Sequence, residues 1–307
     1  MPKSFFTYEK QIALLKTKGL SIPDEAYAKD ILSRIGYYPL ICGYKHPFKN
    51  NTTKDYSDGV SFDDIVALYT FDANLRNLFL SQLLKVERAI KSQLAYCFCD
   101  QYGEAQSAYL LAQNYVGNSH AVQKLVGILH KLATQSTDYP YINHHQTKYH
   151  NVPLWVLINA VTFGNLSKMF DLLPQRLQSQ ICRNYPLIIP QMKRILSVLT
   201  KYRNACAHGE RLFFYKTRDD IPDFGLHAKL GIPKKGSHYI NGKHDLFAVV
   251  ISLRFLLPPK EFTAFKKMLA KLIDTFTTEC KTLAESKLLD EMGFPANWKT
   301  VTRYKVV

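Results

Sequence analysis

Apolar residues recur at positions 65, 68, 75, 79, 83, 86, 90 and 94, in steps of three, four or seven. A helix of 3.6 residues per turn brings all of them to one side. Ser61 stands just before this run as an N-cap, and Asp64 stands where a capping-box acid belongs. One long helix is therefore predicted from Ser61 onward. Three charged residues, Asp72, Arg76 and Glu87, lie close to the same stripe. Polar groups on a buried face need partners. They form either an internal ion-pair network or the brace of a site.

The same reading predicts helices over 8–18, 24–35, 104–115, 120–136, 175–184, 245–257 and 260–287. The strongly apolar stretch 153–174 is predicted as one helix ending near Leu173, with Pro174 opening the next. A further helix spans 190–208, with Pro190 in its first turn and Gly209 just past its end. Segments 36–59, 139–153 and 219–243 are rich in Pro, Gly, Asn or His and read as irregular. No strand pattern stands out. The expected fold is all-α: a helical bundle (59–290, including the 219–243 loop) with a helical N-terminal extension (1–58) and a C-terminal tail (291–307).

Charge changes the picture most. The 307 residues hold 40 Lys and Arg against 25 Asp and Glu, a net charge of +15. That excess repels itself in a compact fold and suits a polyanionic partner, of which nucleic acid is the commonest. Tyr and Phe, 19 and 18 in number, add stacking surface for unpaired bases, although most must be core. Six cysteines form no Cys-x-x-Cys pair and are expected to be free thiols in a reducing cytoplasm. The start of the chain has no signal-peptide pattern, and no apolar run approaches the ~20 residues of a membrane span. A cytoplasmic location is expected.

Cofactor signals are missing. His144, His145 and His150 lack zinc-ligand spacing, as do Cys97 and Cys99. The 14 glycines form no phosphate-binding or dinucleotide loop. The remaining candidate is the end of the 190–208 helix. Between 185 and 218 stand Lys193, Arg194, Lys201, Arg203, Arg211, Lys216 and Arg218, against one acid, Glu210. Apart from Arg203 and Arg211, these cations are candidate RNA contacts. His208 sits in the last turn, where a charged imidazole also suits the helix dipole.

Arg203, Asn204 and His208 are residue types that support RNA cleavage without a metal. Histidine titrates near neutral pH and serves as general base or acid. Arginine holds a phosphate and offsets charge building on its oxygens. Asparagine orients the imidazole or the phosphate. Asn204 and His208 share a face, but Arg203 and His208 are about 140° apart on an ideal helix. They converge only if the long arginine reaches round, if the helix end distorts, or if two such helices meet in a dimer.

"RNACAH" (203–208) resembles the signature of the HEPN superfamily, and "KYRNACAHGERLF" resembles its form in the Abi-like abortive-infection proteins of bacteria, the AbiD/AbiF group. The segments "IGYYPLICGYKHPF", "FDDIVALYTFDANLRNLFLSQLLKVERAIKSQL" and "VPLWVLINAVTFGNLSKMF" fit that group in the same order, so the resemblance runs from about 31 to 215. It implies an all-α HEPN fold and a metal-independent endoribonuclease of phage defence, active as a homodimer and leaving a 2′,3′-cyclic phosphate. It implies Arg203 and His208 as the catalytic pair and Asn204 as their polar companion. Glu87 matches an acidic position of the group's first long helix, and Arg211 either contacts RNA or braces the turn. A structured small RNA is implied as a regulatory partner beside the RNA substrate. The alternative is a non-catalytic RNA-binding module; a nucleotide-binding or purely structural dimer is a third reading.

Overall fold

A computed structural model describes residues 4–50, 52–135 and 138–305. Position 51, in the segment expected to be irregular, and position 136, the expected end of the 120–136 helix, lie outside the described residues, as do the outermost residues of the expected N- and C-terminal segments. The fold is all-α. Its helices are α1 (Tyr8–Thr17), α2 (Glu25–Ile35), α3 (Phe62–Tyr102), α4 (Gln106–Leu110), α5 (Ser119–Gln135), α6 (Pro140–Tyr149) and α7 (Leu154–Leu157). They continue as α8 (Phe163–Leu172), α9 (Gln175–Cys182), α10 (Ile189–Ala207), α11 (Gly225–Lys229), α12 (Leu246–Leu256), α13 (Pro259–Glu279) and α14 (Glu285–Glu291).

The 41-residue α3 is the spine, about 60 Å long at 1.5 Å per residue. All eight residues of the predicted stripe are buried along it. Its N-terminus carries the anticipated capping box: the Ser61 N–H donates to Asp64 Oδ2 at 2.8 Å, and the Asp64 N–H to Ser61 Oγ at 3.2 Å. Helices α7, α9, α10 and α13 pack along it. One continuous core reaches from Ile12 in α1 to Val301, so the N-terminal helices and the segment beyond α14, with buried Phe294 and Trp298, belong to it.

Several elements differ from expectation, each for a local reason. The 153–174 stretch is broken between α7 and α8. The Asn159 amide donates to the carbonyls of Trp155 and Val156, and Thr162 Oγ1 accepts from the Asn165 N–H as a fresh N-cap. The 104–115 helix stops after one turn. Here the Asn114 amide and the Tyr115 hydroxyl take the carbonyls of Ala108 and Tyr109.

Residues 139–153 contain α6, whose polar sequence shows no apolar period and buries only Ile142. The predicted 260–287 helix ends at Glu279 and resumes as α14, because Cys280 and Leu283 turn inward at the break. The 219–243 loop holds α11 and a two-residue antiparallel hairpin, β1 (Lys234–Lys235) and β2 (His238–Tyr239). His227 ties this excursion down. Its Nδ1 accepts from the Phe224 N–H at 3.1 Å, and its Nε2 lies 2.8 Å from the Gly242 carbonyl.

Candidate functional site

Helix α10 presses one face into the core through Met192, Ile195, Leu196, Leu199 and Tyr202. The Tyr202 hydroxyl lies 2.7 Å from the Tyr215 carbonyl and 3.0 Å from that of His244, which ties the helix end to the chain that follows it. Arg203 is the next residue and points across to α3. Its Nε lies 3.4 Å from Glu87 Oε2, and the other Glu87 oxygen holds Lys91 Nζ at 2.9 Å. Glu87 is almost fully buried, while 29 % of the Arg203 side chain remains exposed. One carboxylate therefore fixes two cations while leaving the guanidinium open to solvent.

The helix ends as the Gly signal predicts, one residue short of His208. The Glu210 N–H donates to the Ala205 carbonyl at 2.9 Å and the Gly209 N–H to that of Cys206 at 3.4 Å, with Gly209 at φ +72°. This paired closure needs the left-handed region at Gly209. His208 is the C-cap, with φ −93° and ψ 5°, so the ideal-helix angle between it and Arg203 does not apply unchanged. His208 and Asn204 are exposed. Among the described residues, no hydrogen bond joins the side chains of Arg203, Asn204 and His208. Cys206, inside the same motif, is buried, and burial pushes its thiol up to about 12. It is a core residue and no nucleophile.

The turn beyond the motif hangs on a buried carboxylate. Asp72 is fully buried and accepts from the backbone N–H groups of Leu212 and Phe213 at 3.1 and 2.8 Å, from the Tyr44 hydroxyl at 2.8 Å and from Arg76 Nη1 at 2.6 Å. Arg76 also reaches the Glu210 carbonyl at 3.2 Å. Burial still raises the Asp72 carboxyl above its ordinary range, against the pull of these donors. The Asp72–Arg76 pair thus combines both sequence readings: it is an internal ion pair, and it braces the segment after His208. Arg211 faces the N-terminal region, where its Nη1 donates to the Gly43 carbonyl at 3.3 Å and its guanidinium covers the Phe214 ring.

The candidate RNA cations divide into two groups. Lys193 donates to the Asp171 carbonyl, Arg194 to that of Asp220, and Lys201 pairs with Asp219. These three hold the fold around α10. Lys216 and Arg218 are exposed and make no side-chain hydrogen bond or ion pair among the described residues.

A surface the sequence reading did not single out lies on the same side of α3 as Glu87. A recess of about 470 Å³ is lined by Arg88, Lys91, Tyr96, Trp155 and Asn159, among others. Trp155 is 50 % exposed and Tyr96 73 %. Lys91 could have been found from its i, i+4 spacing to Glu87. Trp155 could not, because a tryptophan in an apolar helix reads as core. Among the described residues no cluster of three or more His, Cys, Asp or Glu side chains is arranged to hold a metal, and no helix is long and apolar enough to cross a membrane.

The chain belongs to the Abi-like protein family, whose model matches residues 30–214, more than half of its length. That span takes in α3, α10, the 203–208 motif and the braced turn. Membership points to abortive infection and phage defence. No curated protein and no solved structure matches the chain.

Proposed function

We propose that this protein is a metal-independent endoribonuclease of the HEPN type, belonging to the AbiD/AbiF group and acting in phage defence as a homodimer. The observation that carries the reading is the pairing of Arg203 with Glu87 at the end of the helix that His208, exposed, caps. A positioned guanidinium binds a phosphodiester. The exposed Trp155 and Tyr96 rings offer stacking faces for unpaired bases, and the charge of +15 suits an RNA ligand. A structured small RNA that regulates the enzyme belongs to the same proposal.

In the reaction, His208 takes the proton of a 2′-hydroxyl as that oxygen attacks the adjacent phosphorus. Arg203 offsets the charge on the non-bridging oxygens. The phosphorus–5′-oxygen bond breaks, and the leaving oxygen is protonated by the second His208 of a dimer whose α10 ends meet. The products are a 2′,3′-cyclic phosphate and a 5′-hydroxyl. Asn204, exposed one turn before His208, orients the phosphate or the ring. The helix C-terminus is a negative end, so Arg203 and the neighbouring Arg88 and Lys91 supply the attraction that brings a phosphate there.

The test is cleavage of total RNA by purified protein in EDTA, wild type beside His208→Ala, with product ends analysed. Cutting by wild type alone, with cyclic-phosphate ends, supports the proposal. Metal-dependent cutting, or equal cutting by both proteins, overturns it. RNA bound tightly but cut by neither protein favours the second reading, a non-catalytic RNA-holding module, for which the aromatic and cationic recess beside α3 is sufficient.

A further inference from the structure

A second recess lies apart from α3's aromatic surface, between the N-terminal helices and the turn after α10. Its volume is about 550 Å³, within the range of small-molecule sites. Lys18, Lys45, His46, Lys49 and Arg211 line it, and no Asp or Glu is among its described lining residues. Lys18, Lys45 and His46 make no ion pair among the described residues. Lys49 rests over the Tyr56 ring at 3.5 Å, and Arg211 spends its contacts on the Gly43 carbonyl and the Phe214 ring.

Such a cluster is unfavourable while empty of counter-charge. Burial and the nearby charges of Lys18 and Lys45 hold the Lys49 ammonium below its ordinary value, and Asp55, outside the wall, pulls only weakly the other way. A single exposed lysine cluster would be an ordinary solvated face. Here a second feature points to a ligand. Tyr56 lines the recess, is only 6 % exposed, and its buried hydroxyl has no hydrogen-bond partner among the described residues. Buried polar groups left without a partner are few and costly. Tyr37, half-buried on the same wall, adds an aromatic face for a base.

We propose that this recess binds the polyphosphate end of a nucleotide, supplied as a free nucleoside triphosphate or as the 5′-triphosphate terminus of an RNA. Lys18, Lys45 and Lys49 neutralise the phosphates, the Tyr56 hydroxyl gains its missing partner, and the base stacks toward Tyr37. Arg211 gives the site a route to the motif, since it lies three residues beyond His208 and its backbone neighbours Leu212 and Phe213 hang on Asp72. Binding itself does not depend on His208 cutting RNA.

The experiment is calorimetric titration of the full chain with ATP, GTP, inorganic triphosphate, and one short RNA carrying either a 5′-triphosphate or a 5′-hydroxyl. Uncleavable RNA with 2′-O-methyl riboses keeps catalysis out of the readout. The variants are Lys45→Glu with Lys49→Gln, Tyr56→Phe, and a control pair on exposed α5 positions, Lys124→Gln with Lys131→Gln. Circular dichroism and thermal unfolding check the fold of each.

The expected result is triphosphate-dependent binding that the Lys45/Lys49 change weakens about tenfold or more, the loss of two charge-assisted contacts. Tyr56→Phe weakens it several-fold without lowering thermal stability, and the α5 pair leaves it unchanged. Tighter binding of ATP or GTP than of the RNA end identifies a free nucleotide as the source; the reverse identifies an RNA terminus. If the double variant fails to fold, Lys18→Gln and Tyr56→Phe decide. No binding to ATP, GTP or inorganic triphosphate together with equal affinity for the two RNA ends, or an equal loss in the α5 control, overturns the proposal, whether or not the protein cleaves RNA. The preference of the RNA for a 5′-triphosphate over a 5′-hydroxyl, and the binding of inorganic triphosphate, are read at this recess and not at the motif.

Discussion

Glu87 Oε2 lies 3.4 Å from Nε of Arg203, joining α3 to the end of α10 across 116 residues of sequence. The same carboxylate holds Lys91. Replacing it by glutamine keeps the shape and removes the charge that aims both cations. Glu87→Gln is expected to lower RNA cleavage about tenfold or more and stability by about 1.5–3 kcal/mol, the range for a hydrogen bond to a charged group. Single-turnover cleavage beside urea unfolding measures both effects. Unchanged cleavage would show that Arg203 needs no such positioning.

Asp72 is the acceptor at the centre of the turn after the motif, with two backbone N–H groups, a tyrosine hydroxyl and Arg76 converging on it. Asp72→Ala strands all of them in the core. The expected cost is about 3–5 kcal/mol, as for breaking a buried pair by removing one partner. Tyr44→Phe removes one of the donors to Asp72 and a longer contact in which the same hydroxyl accepts from Arg76 Nη1 at 3.3 Å, and should cost about 1 kcal/mol. A urea midpoint for Asp72→Ala within error of wild type would mean the turn is held by other contacts.

Trp155 and Tyr96 stand exposed beside Arg88 and Lys91. Trp155→Ala is expected to weaken single-stranded RNA binding by about 1–3 kcal/mol, the stacking contribution of one base, with the salt dependence unchanged. Arg88→Gln is expected to weaken it and to reduce the slope of log affinity against log salt by about 1. Fluorescence anisotropy across a salt series distinguishes the two. A tryptophan variant that binds as tightly as wild type would remove this surface from the RNA path.

His227 is fully buried, and burial lowers its pKa below the ordinary 6.5. Burial favours its neutral form, so the unfolded chain takes up the proton more readily. Its contribution to stability is complete above about 6.5 and declines as pH falls toward the lowered folded value. Asp245 acts in the opposite sense. Burial raises it from 3.8 to about 6, so its contribution is present at low pH and is lost as pH rises through about 6. The window between about pH 6 and pH 7.5 therefore isolates the histidine best. His227→Gln is expected to show a smaller fall in Tm than wild type across that window; parallel curves would exclude His227 as a source of the slope.

The long α3, its Ser61–Asp64 capping box, the limits of α10 set by Pro190 and Gly209, and the all-α class were legible in the sequence. Each depends on residues within a few positions of one another, where helical period, capping and left-handed glycine leave a local imprint. The breaks at Asn159–Thr162 and after Leu110 were less legible, because amides and hydroxyls there compete for backbone groups within stretches that still look helical. The residues of the "RNACAH" motif could be named from sequence, but their partners could not. Whether Glu87 would meet Arg203, whether Asp72 would hold Leu212 and Phe213, and whether Lys201 would face Asp219 all depended on how distant helices packed. The same is true of the cationic recess, which draws Lys18, Lys45 and Lys49 to Arg211 from the far side of α3 and α10 in sequence. Local sequence determined where the helices form and which faces are apolar. Only burial of those faces in one shared core decided which charges meet, because a charge has many possible partners along the chain and packing leaves it one.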